Sequence, residues 1–322
     1  MTFSQVAWAG LGNMGGPMAA NMAKHLHSQK APALLTWNRT TSKISELAAK
    51  LPDPEAIREA ASLEEIGEKS DLIFTSVAND SAARSVIESI LTGIKKHSGS
   101  KRVVIVETST ISAATAQELS QQASAVEGVS YVQAPAFGPP PMAVEAKLVL
   151  VLAGPKVARD AIESYIVPAI GRKTINLSDD VRQSSLFKLV GNGFIAGLIE
   201  LLAECATLAN TSGVGDEAFL DFIKDFVPAP SAIGYGTKMV KSTFDAQPSG
   251  FAIDGGLKDV GHILDLAKET GATMPILEVA KRHLEQVRSS EEGAGAKLDW
   301  SALVAAQREE SGLPKWKDSK KP

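Results

Sequence analysis

In the stretch "LFKLVGNGF", residues 186–194, a lysine sits among Leu, Phe and Val, and Asn192 follows Lys188 by four positions. Residues four apart share one face of a helix, so an ammonium and an amide there can converge on one small molecule. Gly191 and Gly193 flank the asparagine. Glycine inside a helix costs roughly 1 kcal/mol relative to alanine, and a backbone that must approach something closely supplies a reason for it. Desolvation among apolar side chains lowers a lysine pKa toward neutrality, which suits proton transfer. The competing reading is a lysine that extends its head to solvent, the commoner fate on a helix.

A second constellation opens the chain. "AGLGNMGGPMA" sets Gly10, Gly12 and Gly15 as GxGxxG, with Leu11, Asn13 and Met14 between them. Glycines in a strand-to-helix turn let it tighten and let a pyrophosphate reach the backbone, with the helix N-terminus facing the phosphates. Such a turn alone can be structural; its place at the head of repeated βαβ units points to a dinucleotide. An NAD enzyme commonly carries Asp or Glu about 20 residues on, against the adenine ribose. Here Asn38, Arg39 and Thr40 stand in that place and Lys43 follows one turn later. A carboxylate would repel a 2′-phosphate, whereas the planar fork of Arg39 can pair with it. The pattern predicts NADP(H). A polar turn capping the next helix would explain the Asn and Thr but not the missing acid.

The elements that must position these residues follow from periodicity. "QVAWAG", "ALLTWN", "DLIFTSV" and "RVVIVET" read as strands, with helical segments between them, and this alternation implies parallel βαβ units. "SYVQAP", "KLVLVLAG" and "RKTINL" are further strands. After Leu177 the character changes: Ser178 reads as an N-cap, and one helix of over thirty residues extends from there to Gly213. Everything beyond looks helical. The expected fold is α/β: a Rossmann-type parallel-sheet domain at 1–178, then 179–322 as a long interdomain helix leading into an all-α domain that closes on substrate and makes the oligomer.

Composition narrows the function. At 322 residues, 44% hydrophobic and 22% charged, the chain has the makeup of a soluble globular protein. A net charge of -4 without a dense basic block argues against a nucleic-acid surface or a polybasic membrane anchor. One cysteine, Cys205, allows no intrachain disulfide and no thiol cluster, and five histidines without an HExxH pattern give no metal site. The apolar runs read as too interrupted to span a bilayer, and a strand beginning by Gln5 leaves no room for a leader, so a cytoplasmic protein is expected. The last dozen residues, "SGLPKWKDSKKP", read as loose.

Several motifs in order resemble the β-hydroxyacid dehydrogenase family, which includes 3-hydroxyisobutyrate dehydrogenases and is related to 6-phosphogluconate dehydrogenase. "GLGNMGGPMAANM" is similar to the family's opening GLGxMGxxMAxNL, "ETSTIS" to DxSTI, "QAPAFG" to DAPVSG, "KLVGN" to KxxxN, "GLKDVGHILDLA" to KDLxLAxxxA and "KLDWSALV" to the closing DxSA. The resemblance implies that Lys188 is general acid for carbonyl reduction and general base for alcohol oxidation, and that Asn192 helps hold the substrate. It places Thr110 near the nicotinamide, Lys258 against the cofactor with Asp259 fixing its segment, and Val77, Ala78 and Asn79 along the cofactor cleft. It also implies a homodimer or larger assembly made through the helical domain.

Departures from the family matter as much. The resemblance puts Phe137 and Gly138 in the substrate-binding loop, where Phe137 occupies the place of a serine that helps bind the substrate carboxylate, and after Gly138 the run "PPP" removes three consecutive N–H donors. The pocket becomes more apolar. Arg182 and Ser184 stand where the family has a GxG, and Arg182 reads either as a partner for a substrate carboxylate or as a solvated side chain. Imine reductases and reductive aminases share this likeness and have hydrophobic pockets, but carry Asp or Tyr near the Lys188 position. The retained KxxxN pair keeps a hydroxyacid reading ahead: the expected activity is NADP(H)-dependent interconversion of a small carbonyl and alcohol, a β-hydroxyacid or aldehyde acid, the alternative is imine reduction of a more apolar substrate, and a non-catalytic NADPH-binding module is the third reading.

Overall fold

A computed structural model of the chain describes residues 3–96, 102–245, 250–290 and 295–317. The chain forms two compact units, Met1–Lys188 and Leu189–Pro322. The first begins with β1 (Val6–Ala9), α1 (Gly15–Ser28), β2 (Leu34–Trp37), α2 (Ser42–Ala48), β3 (Ile57–Glu59), α3 (Leu63–Lys69), β4 (Leu72–Thr75), α4 (Asp80–Lys96), β5 (Val103–Glu107), α5 (Ala113–Ser124) and β6 (Val129–Gln133). Its six strands pair in parallel in the order β3-β2-β1-β4-β5-β6.

The apolar strand runs are explained by burial on both faces. Val6, Trp8, Phe74, Val104 and Val106 pack with Met18 and Met22 of α1. Ala7, Ala9, Ile73 and Ile105 point the other way, onto Ile87, Ile90 and Leu119. Strand order reverses between β2-β1 and β4-β5, and ligands of such sheets bind in the crevice outside the strand ends at that switch point.

The chain then builds a second sheet from β7 (Ala136–Phe137), β8 (Leu148–Leu152) and β9 (Gly171–Asn176), with α6 (Pro140–Val144) and α7 (Lys156–Ile166) between them. β7 runs antiparallel and β9 parallel to β8, and a Gln133–Ala153 bridge ties this sheet to the end of β6. The later strands thus belong to a small sheet of their own.

α8 spans Arg182–Thr211, 30 residues. It starts after Asp180, whose carboxylate accepts from Arg182 N, rather than at Ser178, whose hydroxyl accepts from Asp180 N in the preceding turn. Interruptions by Lys188 and Glu200 do not keep this helix from being long and apolar enough, by length and composition, to cross a membrane; 56% of its apolar window is buried inside the protein.

The second unit continues with α9 (Asp216–Phe226), α10 (Pro230–Lys241), α11 (Ile253–Thr270), α12 (Pro275–Ser290) and α13 (Val304–Glu310). Ile199, Leu202, Val260, Ile263, Leu277, Leu284 and Trp300 form its core. Residues 311–317 are not loose: Trp316 packs on Phe244 with ring centroids 5.3 Å apart, Arg308 Nε donates to Pro314 O, and Lys317 pairs with Asp216. The remaining residues of the tail lie outside the described residues.

Candidate active site

The turn after β1 is shaped by two close approaches. Gly10 has φ +101°, and a Cβ there would lie 2.1 Å from Ser76 O; a Cβ on Gly15 would lie 2.2 Å from Gly10 O. No L side chain fits either place. Gly12 is different: a Cβ there meets nothing within 4 Å, so the space above it is open. Leu11 N donates to Asn38 Oδ1 at 2.8 Å, and Asn38 Nδ2 donates to Thr40 O, which fastens the turn to the end of β2. Asn13 is exposed and Met14 half-buried at the head of α1, and Arg39, Thr40 and Lys43 are all exposed. An open, glycine-lined helix N-terminus with cationic side chains at the next strand end fits a dinucleotide phosphate group.

Across the switch point, Val77 N donates to Ser109 Oγ at 2.6 Å, while Asn79 Oδ1 accepts from Ala82 N and so caps α4. Ala78 is exposed, and Thr110 is half-buried in the loop after β5. Beneath these loops lies a group whose role the sequence did not reveal: Glu107, fully buried, accepts from Thr75 Oγ1 at 2.7 Å and from Ser109 N at 2.7 Å. Burial pushes its carboxyl pKa up against the hydrogen bonds that favour the charge. The signal was a carboxylate closing an otherwise apolar strand. Ser109 links it onward to Val77, so one buried network sets both loops.

Lys188 is only 8% exposed. Its Nζ lies 4.2 Å from the centroid of the Phe137 ring, and Phe187 meets Phe137 edge-on at 6.1 Å and 83°. The head is thus held against an aromatic face rather than extended into solvent. Ser184 is wholly buried and donates to Gln133 O and Val151 O. Arg182 grips Asp180 with Nε and Nη2, at 2.7 to 3.0 Å. Its guanidinium is engaged by that carboxylate on the exposed surface.

Within the helical unit, Asn192 Nδ2 donates to Asp259 Oδ2 at 2.7 Å, and Lys258 Nζ pairs with Asp259 Oδ1 at 3.3 Å. Asp259 is 2% exposed and fixes both side chains. Gly193 does not leave room for a ligand: a Cβ there would make ordinary contacts with Ile263, Leu277 and Met274. Among the described residues no group of His, Cys, Asp or Glu could hold a metal ion.

Residues 5–178 match the family described as the NAD binding domain of 6-phosphogluconate dehydrogenase, and residues 183–306 match the NAD-binding domain of NADP-dependent 3-hydroxyisobutyrate dehydrogenase. The chain belongs to the β-hydroxyacid dehydrogenase family. This β-hydroxyacid dehydrogenase-type oxidoreductase is 29% identical to the NADH-dependent oxidoreductase ucdB of Aspergillus ustus, over 94% of this chain and 98% of that one. Its fold is shared with Mycobacterium tuberculosis 3-hydroxyisobutyrate dehydrogenase, at a TM-score of 0.78 and 22% identity over 95% of this chain and all of the other. An imine reductase from Pseudomonas sp. superposes less well, with a TM-score of 0.58 and 18% identity over 95% of this chain and 100% of that chain.

The closing motif of this oxidoreductase has a structural reason. Asp299 is fully buried and accepts from Lys238 Nζ at 2.8 Å, Phe251 N at 2.8 Å, Ser301 N at 3.1 Å and Ser301 Oγ. A carboxylate with that many donors pins α10, the start of α11 and the chain's last helical turns to one point.

Proposed function

We propose that the chain is an NADP(H)-dependent reductase and dehydrogenase for a small carbonyl and its alcohol, with Lys188 as the proton donor and acceptor. The observation that carries this reading is a lysine head held almost out of solvent on an aromatic face. Bound at the Gly10–Gly15 turn, the nicotinamide cofactor would supply or accept the hydride. In reduction, Lys188 gives a proton to the carbonyl oxygen as the carbon takes the hydride; in oxidation it removes that proton. Asn192, held by Asp259, is proposed to steady the substrate oxygen and Lys258 to contact the cofactor.

The preference for NADP(H) rests on Asn38 and Arg39, where a ribose-binding acid is absent. The Aspergillus relative is NADH-dependent by name, so this reading comes from the chain's own residues and the NADP-dependent description of the second matched domain.

Imine reduction is the second reading, favoured by Phe137. Charge weighs against it. A protonated imine is a cation, and two unit charges about 4 Å apart at an effective dielectric near 20 repel by roughly 4 kcal/mol. A carbonyl oxygen, in contrast, accepts from the ammonium. The test is NADPH oxidation on matched panels of short aldehydes, keto acids and cyclic imines, with Lys188→Ala alongside. Carbonyl turnover that the variant loses supports the proposal; turnover of imines alone reverses the order.

We also propose a homodimer made through the helical unit. Phe194, Leu201 and Leu208 recur every seven residues along α8 at 71%, 49% and 67% exposure, and Phe226 stacks on Phe222 at 5.2 Å, both exposed. Burying each such side chain is worth about 1.5–3 kcal/mol, and a second copy offers the same stripe. Light scattering should give twice 33.9 kDa; a monomer mass at micromolar concentration counts against it.

A further inference from the structure

We propose that Phe137 sets the substrate class: it takes the place of an anion-binding subsite beside Lys188 and selects uncharged carbonyl compounds bearing an aromatic or branched apolar group, against acids. This rests on the reading of Lys188 as the proton donor.

A substrate carboxylate needs amide or cationic donors of its own, since pairing with Lys188 would take the ammonium away from the carbonyl. Pro139, Pro140 and Pro141 have no N–H. The next two amides, Met142 N and Ala143 N, both donate to Pro139 O. Residues 139–143, which begin two positions after Phe137, therefore turn no free amide outward, and Gly138 N is the only amide between them and the ring. Arg182 is forked on Asp180, and the Ser184 hydroxyl is spent on Gln133 O and Val151 O. The Phe137 ring faces the ammonium at 4.2 Å.

The backbone that carries that ring is held firmly. Phe137 pairs with Val149 across β7 and β8. Gly138 has φ +133°, a conformation L side chains rarely adopt, and a Cβ on it would come within 2.8 Å of Leu148. Prolines follow at once. Strand register on one side and fixed backbone on the other set where the ring is anchored, and its edge-on contact with Phe187 holds it over the ammonium. An aromatic face carries negative charge density, so it attracts the ammonium and repels an anion. Placing a carboxylate there costs its hydration without supplying donors. Phe187, 40% exposed, extends the same aromatic surface outward. A neutral aromatic or branched group packs on these two rings while its carbonyl oxygen takes the Lys188 proton and its carbon takes hydride from NADPH, giving the alcohol and NADP⁺.

The test compares 3-phenylpropanal with succinic semialdehyde on the full chain with NADPH, in wild type, Phe137→Ser, Phe137→Leu and Lys188→Ala. Wild type should favour 3-phenylpropanal in kcat/KM by at least about tenfold, the discrimination expected when a polar group meets a site without partners. Phe137→Leu should keep that preference and Phe137→Ser should shrink it by about tenfold. Preference for the acid in wild type, or a ratio that Phe137→Ser leaves unmoved, overturns the inference. Retention of both activities in Lys188→Ala sinks the proton-donor reading instead, while the Phe137→Ser ratio still judges Phe137. If neither aldehyde turns over, quenching of bound NADPH by 3-phenylpropanol and by 4-hydroxybutyrate decides. Tighter binding of the neutral alcohol supports the inference; equal or tighter binding of the acid, or no binding of either, overturns it.

Discussion

The glycine turn separates two jobs that GxGxxG motifs combine, and a pair of alanine substitutions should pull them apart. Gly12 is exposed, and a methyl group there touches no protein atom within 4 Å. Gly12→Ala should therefore leave folding intact, or stabilise it by about 0.4–1 kcal/mol through a less flexible unfolded chain. The same methyl enters the space assigned to the pyrophosphate. Displacing one charge-assisted phosphate hydrogen bond costs about 1.5–3 kcal/mol, or roughly 10- to 150-fold in NADPH affinity. Gly10→Ala should behave oppositely. Its Cβ would meet Ser76 O at 2.1 Å in a backbone conformation with φ +101°, so the turn must move, at a cost of about 3 kcal/mol or more in stability. The assays are thermal denaturation and titration of NADPH fluorescence on both variants. NADPH affinity within threefold of wild type in Gly12→Ala, with the melting temperature unchanged, would refute the assignment of this turn to a phosphate. Unaltered stability in Gly10→Ala would refute the packing argument.

Arg39→Ala should weaken NADPH about 10- to 100-fold and leave NADH within about twofold, because only the 2′-phosphate gains a charge-assisted pair from the guanidinium; equal losses for both cofactors would exclude it as the discriminator. Asp299→Ala should cost about 3–5 kcal/mol in urea denaturation, since Lys238 and two backbone amides lose one buried acceptor together; a loss under 1 kcal/mol would contradict the picture of a hub. His283 contributes pH dependence to the helical unit. Burial pulls its pKa down, but its contacts with Glu200 at 2.8 Å and Glu310 at 3.4 Å outweigh that and leave it raised above 6.5. A raised imidazole stabilises fully below its unfolded value and loses that contribution as pH rises through the folded one. The stability gap between wild type and His283→Gln should thus narrow between pH 6 and pH 9; a gap that widens would reverse the sign.

Legibility in the sequence followed how local each signal was. β1, β2, β4 and β5 are apolar runs buried on both faces, and their periodicity and spacing make them readable without a partner. β3 is three residues, Ile57–Glu59, two of them charged and exposed, and it exists because β2 pairs with it. The separate small sheet was hidden for the same reason: β7 is two residues long and its pairing lies across α6. Motif spacing made Lys188 and the glycine turn conspicuous, but nothing local ties Phe137 to a lysine 51 positions later. Arg182 looked available because a sequence does not show that its guanidinium closes on Asp180 two residues before it. The tail reads as loose because its charges outnumber its apolar residues, yet Trp316, the Pro314 carbonyl and Lys317 each find a partner and dock residues 311–317.

Asn38 gives the turn a bearing on how cofactor choice can change over generations. Its amide does two things at once, accepting from Leu11 N and donating to Thr40 O. An aspartate in its place could still accept from Leu11 N, but it has nothing to donate and would set a negative oxygen against the Thr40 carbonyl. A single-codon move toward an acid here therefore disturbs the loop that carries Arg39 at the same moment that it alters charge. Lineages that exchange one nicotinamide for the other are then expected to rebuild positions 38 to 40 as a block, and designers who wish to do so would start from the whole loop.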